Sequence, residues 1–349
     1  MNADPGAGAS PVPGPAPAAH PATDPATGPA TLAIAGENVV DLVPIDGTPD
    51  SYRALAGGSP ANIAIAAARL GTSAALIARI GADAFGRRVR ERLAAGGVSP
   101  RYLVDATEPS SLAVVSFDEN RRATYDFWFT GTADGQWTGG ELPDPLGPDV
   151  RALHVGSVAL HLDPGGAALL RMVLREHARG AVTLTLDPNV RPDISGDLAA
   201  VRRRLEALVP LCDVVKASDE DMLHLYPDLD PVEAARLWRD SGPALVIVTQ
   251  GADGATAVME HQAIAVAAPE VDVADTVGAG DAFMGALLHA LDTRGLLGGE
   301  RVGALRTVAP DDLRRMTEYA AAAAAYTCTR EGADPPTAAE LDAWRESLA

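Results

Sequence analysis

The chain has 349 residues, 47% of them hydrophobic and only 4% aromatic, enough for one large core or two smaller ones. Its formal net charge of −19, from 28 basic and 47 acidic residues, repels nucleic acid and anionic membrane surfaces and excludes both as expected partners. No apolar run is long enough to span a membrane, and the N-terminus lacks the basic and apolar segments of a signal peptide. Cys212 and Cys328 make no disulfide framework, so a reducing cytoplasm is the expected setting.

Residues 1–30 are Pro, Ala, Gly and Thr without apolar periodicity, which predicts a disordered tail. An ordered unit over 31–349 begins at the apolar run Leu32–Ala35, ended by Gly36. Val39–Val43 reads as extended. Pro60–Leu70 reads as a helix, with Pro60 near its start and Gly71 as its stop. Ala74–Ile80 reads as a buried strand, and Phe85–Ala95 as an amphipathic helix closed by Gly96-Gly97. Leu112–Phe117 and Ala123–Phe129 flank Asp118–Arg122, a hairpin signal. With Val39–Val43 they suggest a small β lid, drawn from about 37–57 and 105–135, outside the main sheet.

Strands are then expected at Ala152–Val158, Val182–Leu186, Asp213–Ala217 and Leu245–Thr249. Helices fall near 165–178, 197–208, 219–225 and 231–240, a second hairpin covers Thr256–Val266, and the last long helix is Asp312–Thr329. Alternating strands and helices over this length predict an α/β fold: a mostly parallel central sheet with helices on both faces. Ligands then sit at the carboxyl ends of the strands.

The most informative stretch is Asp275-Thr276-Val277-Gly278-Ala279-Gly280-Asp281, which runs into the apolar helix Ala282–Leu291. A small Gly-rich turn feeding a helix leaves backbone N–H groups aimed at an anion. A carboxylate there, Asp281, suits the proton acceptor for a hydroxyl attacking a bound phosphoryl group. Phe283 occupies the third position of a dinucleotide-binding Gly-x-Gly-x-x-Gly, and no Gly-Lys-Ser/Thr follows, so neither a Rossmann nor a Walker A loop is present.

Other polar segments close strands or open helices. Gly57-Gly58-Ser59-Pro60-Ala61-Asn62 combines close backbone approach with an amide that both donates and accepts, as a polyol requires. Asp41 sits among apolar residues and could accept two hydroxyls. Asp187-Pro188-Asn189-Val190-Arg191 ends a strand with groups suited to phosphate. Lys216, the only lysine of the chain, precedes Ser218-Asp219-Glu220-Asp221, whose acids suit a helix start or a water-held Mg²⁺. Thr249, Gly251 and Gly254 leave room for a nucleotide.

Taken in order, these segments resemble the ribokinase/PfkB-type carbohydrate kinase family over roughly residues 31–340. The carriers are Gly57-Gly58-x-x-x-Asn62 and the run Asp275–Asp281. Within the family the chain is most similar to bacterial fructokinases, through Gly36-Glu37, Asp41, Ser59–Asn62, Tyr125-Asp126-Phe127, Gly131–Asp134 and Asp187–Pro192. Members acting on 2-keto-3-deoxygluconate share much of this pattern, and ribose or nucleoside kinases of the family and a non-catalytic sugar sensor are further alternatives.

The resemblance implies a ribokinase-like fold with a β-sheet lid and an ATP-dependent sugar kinase using Mg²⁺, with K⁺ as an optional second cation. Asp281 is then the catalytic base, and the amides of Gly278, Ala279 and Gly280 form the anion hole. Asp41, Gly57, Gly58, Asn62 and Tyr125 bind the sugar, with Phe127 and Asp134 as further specificity candidates. Asn189, Lys216, Thr249, Gly251, Gly254, Gly278 and Gly280 serve the nucleotide. Backbone at Asp275 and Val277, with the 327–332 loop, is the candidate monovalent-cation site. The family's Asn-x-x-Glu segment stands here as Ser218–Asp221, and Asp221 is read as reaching Mg²⁺ through water. A homodimer is expected through the lid face near Leu112, Trp128 and Phe129.

Overall fold

The computed structural model describes residues 30–45, 48–117, 123–138 and 140–348. The predicted tail up to residue 29 and the turn 118–122 lie outside these residues.

The elements run β1 (Leu32–Ala35), β2 (Val39–Ile45), β3 (Thr48–Gly57), α1 (Ser59–Arg69), β4 (Ala74–Gly81), α2 (Ala84–Ala95), β5 (Leu103–Ala106), β6 (Ser111–Phe117) and β7 (Ala123–Trp128). They continue with β8 (Ala152–Gly156), α3 (Gly165–Arg179), β9 (Thr183–Asp187), α4 (Pro192–Ser195), α5 (Leu198–Leu208), β10 (Val214–Ser218), α6 (Asp219–Leu225) and α7 (Pro231–Ser241). The last part holds β11 (Leu245–Thr249), β12 (Ala255–Val258), β13 (Ala263–Val266), α8 (Ala279–Thr293), α9 (Val302–Arg306), α10 (Pro310–Cys328) and α11 (Ala338–Leu348).

The larger sheet has the order β13-β12-β11-β10-β9-β8-β1-β4-β5 and is parallel except at its β12–β13 edge. Both faces are covered, so β1, β4, β8 and β9 are buried at every position, whereas the edge strand β13 alternates buried and exposed. In β1, Leu32 and Ile34 join the core built with α1, α8 and α10, while Ala33 and Ala35 join a second core with α3, α5 and α7. The carboxyl ends of β1, β9, β10 and β11 deliver Gly36-Glu37, Asp187, Ser218 and Thr249 to one edge.

The smaller sheet has the order β3-β2-β6-β7 and stands apart from the first, as expected. One buried side chain joins its connections. Asp134 Oδ1 accepts from the Asn38 backbone N and from Asn38 Nδ2, each at 2.9 Å, and Oδ2 accepts from Ser111 Oγ. It thereby ties the entries to β2 and β6 to the segment leaving β7. Burial pushes the Asp134 carboxyl up to about 7. Asp134 is 2% exposed, so this specificity candidate occupies a structural joint and lines neither of the cavities described below.

Five elements went unread in the sequence, among them the short helices α4 and α9. β3 carries Pro49, Asp50 and Gly57 and lacks clean alternation; it is held by pairing with β2 from Val39↔Gly57 to Ile45↔Thr48. β5 is a four-residue edge strand. α11 follows Thr337, whose hydroxyl and amide exchange hydrogen bonds with Glu340, a capping box that the sequence does contain. It docks by Trp344 edge-on against Tyr326 of α10, ring centres 5.6 Å apart. Helix α8 also starts three residues before the expected Ala282.

Candidate active site

Gly278 sets the centre of the site. It is left-handed, with φ +78°, and a Cβ there would lie 2.5 Å from Ala333 Cβ, so neither backbone nor space admits a side chain. This turn starts α8 and places Ala279, Gly280 and Asp281 in its first turn. The backbone N–H groups of Gly278, Gly280 and Asp281 have no protein acceptor among the described residues, whereas Ala279 N reaches Thr276 O at 3.3 Å. Of the three amides expected to form an anion hole, those of Gly278 and Gly280 are open and that of Ala279 is turned to Thr276 O.

Helix α1 brings two donors to Asp281. Ser59 Oγ donates to Oδ1 at 2.6 Å, and Asn62 Nδ2 donates to Oδ2 at 2.8 Å. The other end of that amide, Asn62 Oδ1, accepts from Arg92 Nη1 at 2.8 Å. Arg92 Nη2 donates to Ala333 O, also at 2.8 Å. A carboxylate held by two donors is fixed in direction while each oxygen keeps a lone pair for a third hydrogen bond.

Lys216 approaches from β10. Its Nζ lies 3.0 Å from where a Cβ on Gly280 would stand and donates to Asp187 Oδ2 at 2.9 Å. Burial alone would lower its pKa, but the carboxylates of Asp187, Asp221 and Asp281 outweigh burial and hold the ammonium above its ordinary value. Burial raises Asp187 to about 6, with Lys216 opposing. Asp187 Oδ1 is buried and has no partner among the described residues.

Asp221 and Asn189 sit behind this pair and line neither cavity. Asp221 Oδ2 accepts from Ser218 N at 2.8 Å while Ser218 Oγ accepts from Asp221 N at 3.0 Å, a reciprocal helix cap. Asp221 Oδ1 accepts from Val190 N at 2.7 Å and so fixes the turn after β9. In that turn Asn189 is left-handed, with φ +41°, and its Nδ2 donates to Ser157 Oγ at 3.1 Å.

Two cavities flank the 275–280 turn. The first, about 820 Å³, lies between the small sheet, α2 and residues 331–334; Asp41, Arg92, Tyr125, Asp275 and Val277 help line it. Burial raises Asp41 to about 6, with Arg92 opposing. Gly57 backs onto Asp41, its Cβ position 3.1 Å from Oδ2, and a Cβ on Gly58 would meet Glu37 O at 2.8 Å. Tyr125 stacks on Phe127, ring centres 5.7 Å apart. The second cavity, about 620 Å³, is largely apolar; Thr249, Gly251, Gly254, Thr276, Gly280 and Phe283 are part of its wall. The turn is thus a shared wall, with Asp275 and Val277 on one side and Thr276, Ala279 and Gly280 on the other.

Asp275 ties this wall to the 327–332 loop. Its Oδ1 accepts from Val277 N at 3.0 Å, its Oδ2 from Gly332 N at 2.8 Å, and Cys328 O accepts from the amides of Ala274 and Asp275. No group of three or more His, Cys, Asp or Glu side chains is arranged for a metal among the described residues.

The structure thus gathers Asp281, Asn62, Gly278, Gly280 and Lys216 in one place, puts Asp41 and Tyr125 on the wall of the first cavity with Gly57 behind Asp41, and puts Thr249, Gly251 and Gly254 on the wall of the second; Gly58, Asn62, Lys216, Gly278 and Asp281 line neither. Sequence reasoning passed over Ser59 and Arg92. Ser59 stood inside a recognised motif, but as a helix-start Ser it had an ordinary explanation. Arg92 lies on an amphipathic helix where an arginine reads as solvated, and nothing local marks it.

Residues 31–340 match the pfkB family carbohydrate kinase. A fructokinase from Rhizobium leguminosarum bv. trifolii is 36% identical over 274 residues, 77% of this chain and 82% of that protein. A fructokinase from Xylella fastidiosa with bound ATP shares the fold at a TM-score of 0.82 and 24% identity, over 90% of this chain and 98% of that one. A fructokinase from Vibrio cholerae O395, in a form with fructose, ADP and calcium ion, gives a TM-score of 0.75 at 27% identity over 92% and 99% of the two chains. The family match spans both cavities and the turn between them, and the chain belongs to the pfkB family of carbohydrate kinases.

Proposed function

We propose that this kinase transfers the γ-phosphoryl group of ATP to the primary hydroxyl of fructose. One observation carries the reading. Asp281, aimed by Ser59 and Asn62, lies beside the free amides of a turn that separates a cavity of mixed lining, with Asp41 and several arginines, from a more apolar one. Sugar in the first cavity meets Asp41, Asn62 and the Gly57-Gly58 backbone. A nucleotide in the second lies along Thr249, Gly251 and Gly254, with its phosphates directed to Gly278, Gly280 and Lys216. The sugar hydroxyl gives its proton to Asp281 as its oxygen attacks the γ-phosphorus and ADP leaves. Positioning and preorganised donors supply most of the rate, because phosphoryl transfer leaves the protein little covalent work.

The buried, unpartnered Asp187 Oδ1 fits a water of a hydrated Mg²⁺, with Asp221 behind it. Such an ion, when bound, would neutralise charge on the phosphates. The tie of Asp275 to Gly332 brings the 275–277 backbone against the 327–332 loop, where a monovalent cation, K⁺, would be held by backbone oxygens. The small sheet acts as a lid that excludes water competing for the phosphoryl group. On that lid Trp128, Tyr52 and Ile45 are exposed at 53%, 48% and 46%, which supports a homodimer formed through it. Leu112 is half-buried and Phe129 buried, so that face is narrower than the sequence suggested. No described helix is long and apolar enough to cross a membrane. The two free thiols, Cys212 and Cys328, support a reducing compartment.

A second acceptor is favoured by one observation. Arg88 lines the first cavity and makes no ion pair among the described residues, so an acidic sugar such as 2-keto-3-deoxygluconate has a cation to meet. An ADP-release assay with Mg·ATP across fructose, 2-keto-3-deoxygluconate, ribose, tagatose, adenosine and inosine tests both readings, with Asp281→Asn as the blank. Fructose turnover that disappears in the variant supports the proposal. Preference for another acceptor moves the substrate and keeps the chemistry. ATP binding without turnover on any acceptor points to a sensor.

A further inference from the structure

We infer that Arg92 is a positioning residue for phosphoryl transfer, holding the Asn62 amide and the Gly278 turn in register with one guanidinium. The inference rests on the reading of Asp281 as the base.

A side-chain amide has one accepting and one donating end. Arg92 has only donors, so it can face only Asn62 Oδ1, as it does at 2.8 Å. This leaves Nδ2 for Asp281 Oδ2, also at 2.8 Å. Without Arg92 the amide is free to turn over, and Oδ1 would then oppose the Asp281 carboxylate, acceptor against acceptor. The base would lose a donor and its direction.

The second arm of Arg92 holds Ala333 O at 2.8 Å. Ala333 Cβ packs where a side chain on Gly278 would have to go, 2.5 Å from that Cβ position. Ala333 therefore sets the height of the turn whose amides receive the phosphoryl group. The guanidinium reaches both targets because its donors diverge from a rigid plane. Lysine offers a single point charge on a flexible stem and cannot span both at this geometry.

The test measures kcat and KM with Mg·ATP and fructose, or whichever panel sugar turns over, for Arg92→Met and Arg92→Lys, each alone and with Asn62→Ala. Arg92→Met should lower kcat by about 10- to 100-fold, the range expected when reacting groups drift by a fraction of an ångström. KM for ATP should change less than about threefold, because the nucleotide cavity does not contain Arg92. Arg92→Lys should recover part of the loss. In the Asn62→Ala background Arg92→Met should cost much less than in the parent, since residues acting through one another are not additive.

A kcat for Arg92→Met within about twofold of the parent overturns the inference, as does an equal loss in both backgrounds. If Arg92→Met melts below the assay temperature, the Arg92→Lys cycle makes the same comparison. Asp281→Asn separates the two claims. If it retains full turnover, the base assignment fails; if it is inactive beside an unaffected Arg92→Met, only the role of Arg92 fails.

Discussion

Lys216 and Asp187 form a buried pair at 2.9 Å, and the lysine's ammonium lies over Gly280 while one oxygen of the aspartate has no partner among the described residues. The pair thus holds one satisfied and one unsatisfied carboxylate oxygen, both buried. Removing one buried partner normally costs about 3–5 kcal/mol because a charge is left unpaired. The expected outcome for Lys216→Met is reduced stability together with a kcat at least tenfold lower. Adding Asp187→Asn should restore much of the unfolding free energy in urea without restoring turnover. Recovery of both would make the lysine purely structural.

Gly278→Ala attacks the turn itself. A non-glycine residue in the left-handed region costs about 1–2 kcal/mol, and the added methyl also meets Ala333. Denaturant unfolding should show at least that loss. Turnover should fall more steeply than stability, because the amides of Gly278 and Gly280 are displaced together.

Asp41 gives a pH signature. Burial raises its folded pKa to about 6, so the carboxylate proposed to accept sugar hydroxyls predominates only above that value. As pH falls below about 6, kcat/KM for the sugar should drop, approaching tenfold per pH unit. Asp41→Asn should remove this acidic limb and raise KM for the sugar by roughly tenfold, the worth of a hydrogen bond to a charged group. An unchanged limb in the variant would assign the titration to another group.

Trp128 tests the assembly. It is 53% exposed on the small sheet, in register with Leu112 across β6 and β7. Light scattering at micromolar protein should give a dimeric mass, and Trp128→Glu should shift it to the monomer. A monomeric parent would remove the proposed interface.

Much of the fold was legible because its signals are local. The buried strands β1, β4 and β11 are short apolar runs with glycine or turn residues after them, and α1 is bounded by Pro60 and Gly71. β3 was not legible because its sequence contradicts strand propensity; cross-strand pairing with β2 overrides that preference. The Thr337–Glu340 capping box was present in the sequence, yet the end of α10 looked like the end of the helical chain.

The sequence by itself determined the α/β class, the separate small sheet and the identity of the turn around Gly278, because each depends on neighbours within a few residues. Only the tertiary structure decided who touches Asp281. Ser59 and Asn62 lie 222 and 219 positions away from it along the chain, and Arg92 lies 241 positions from the Ala333 carbonyl it holds. It also turned Asp134 inward as the joint of the small sheet and gave both oxygens of Asp221 to backbone amides. Side-chain direction and hydrogen-bond partnership are settled by packing between distant segments, and a local pattern of residues carries no record of which segments will meet.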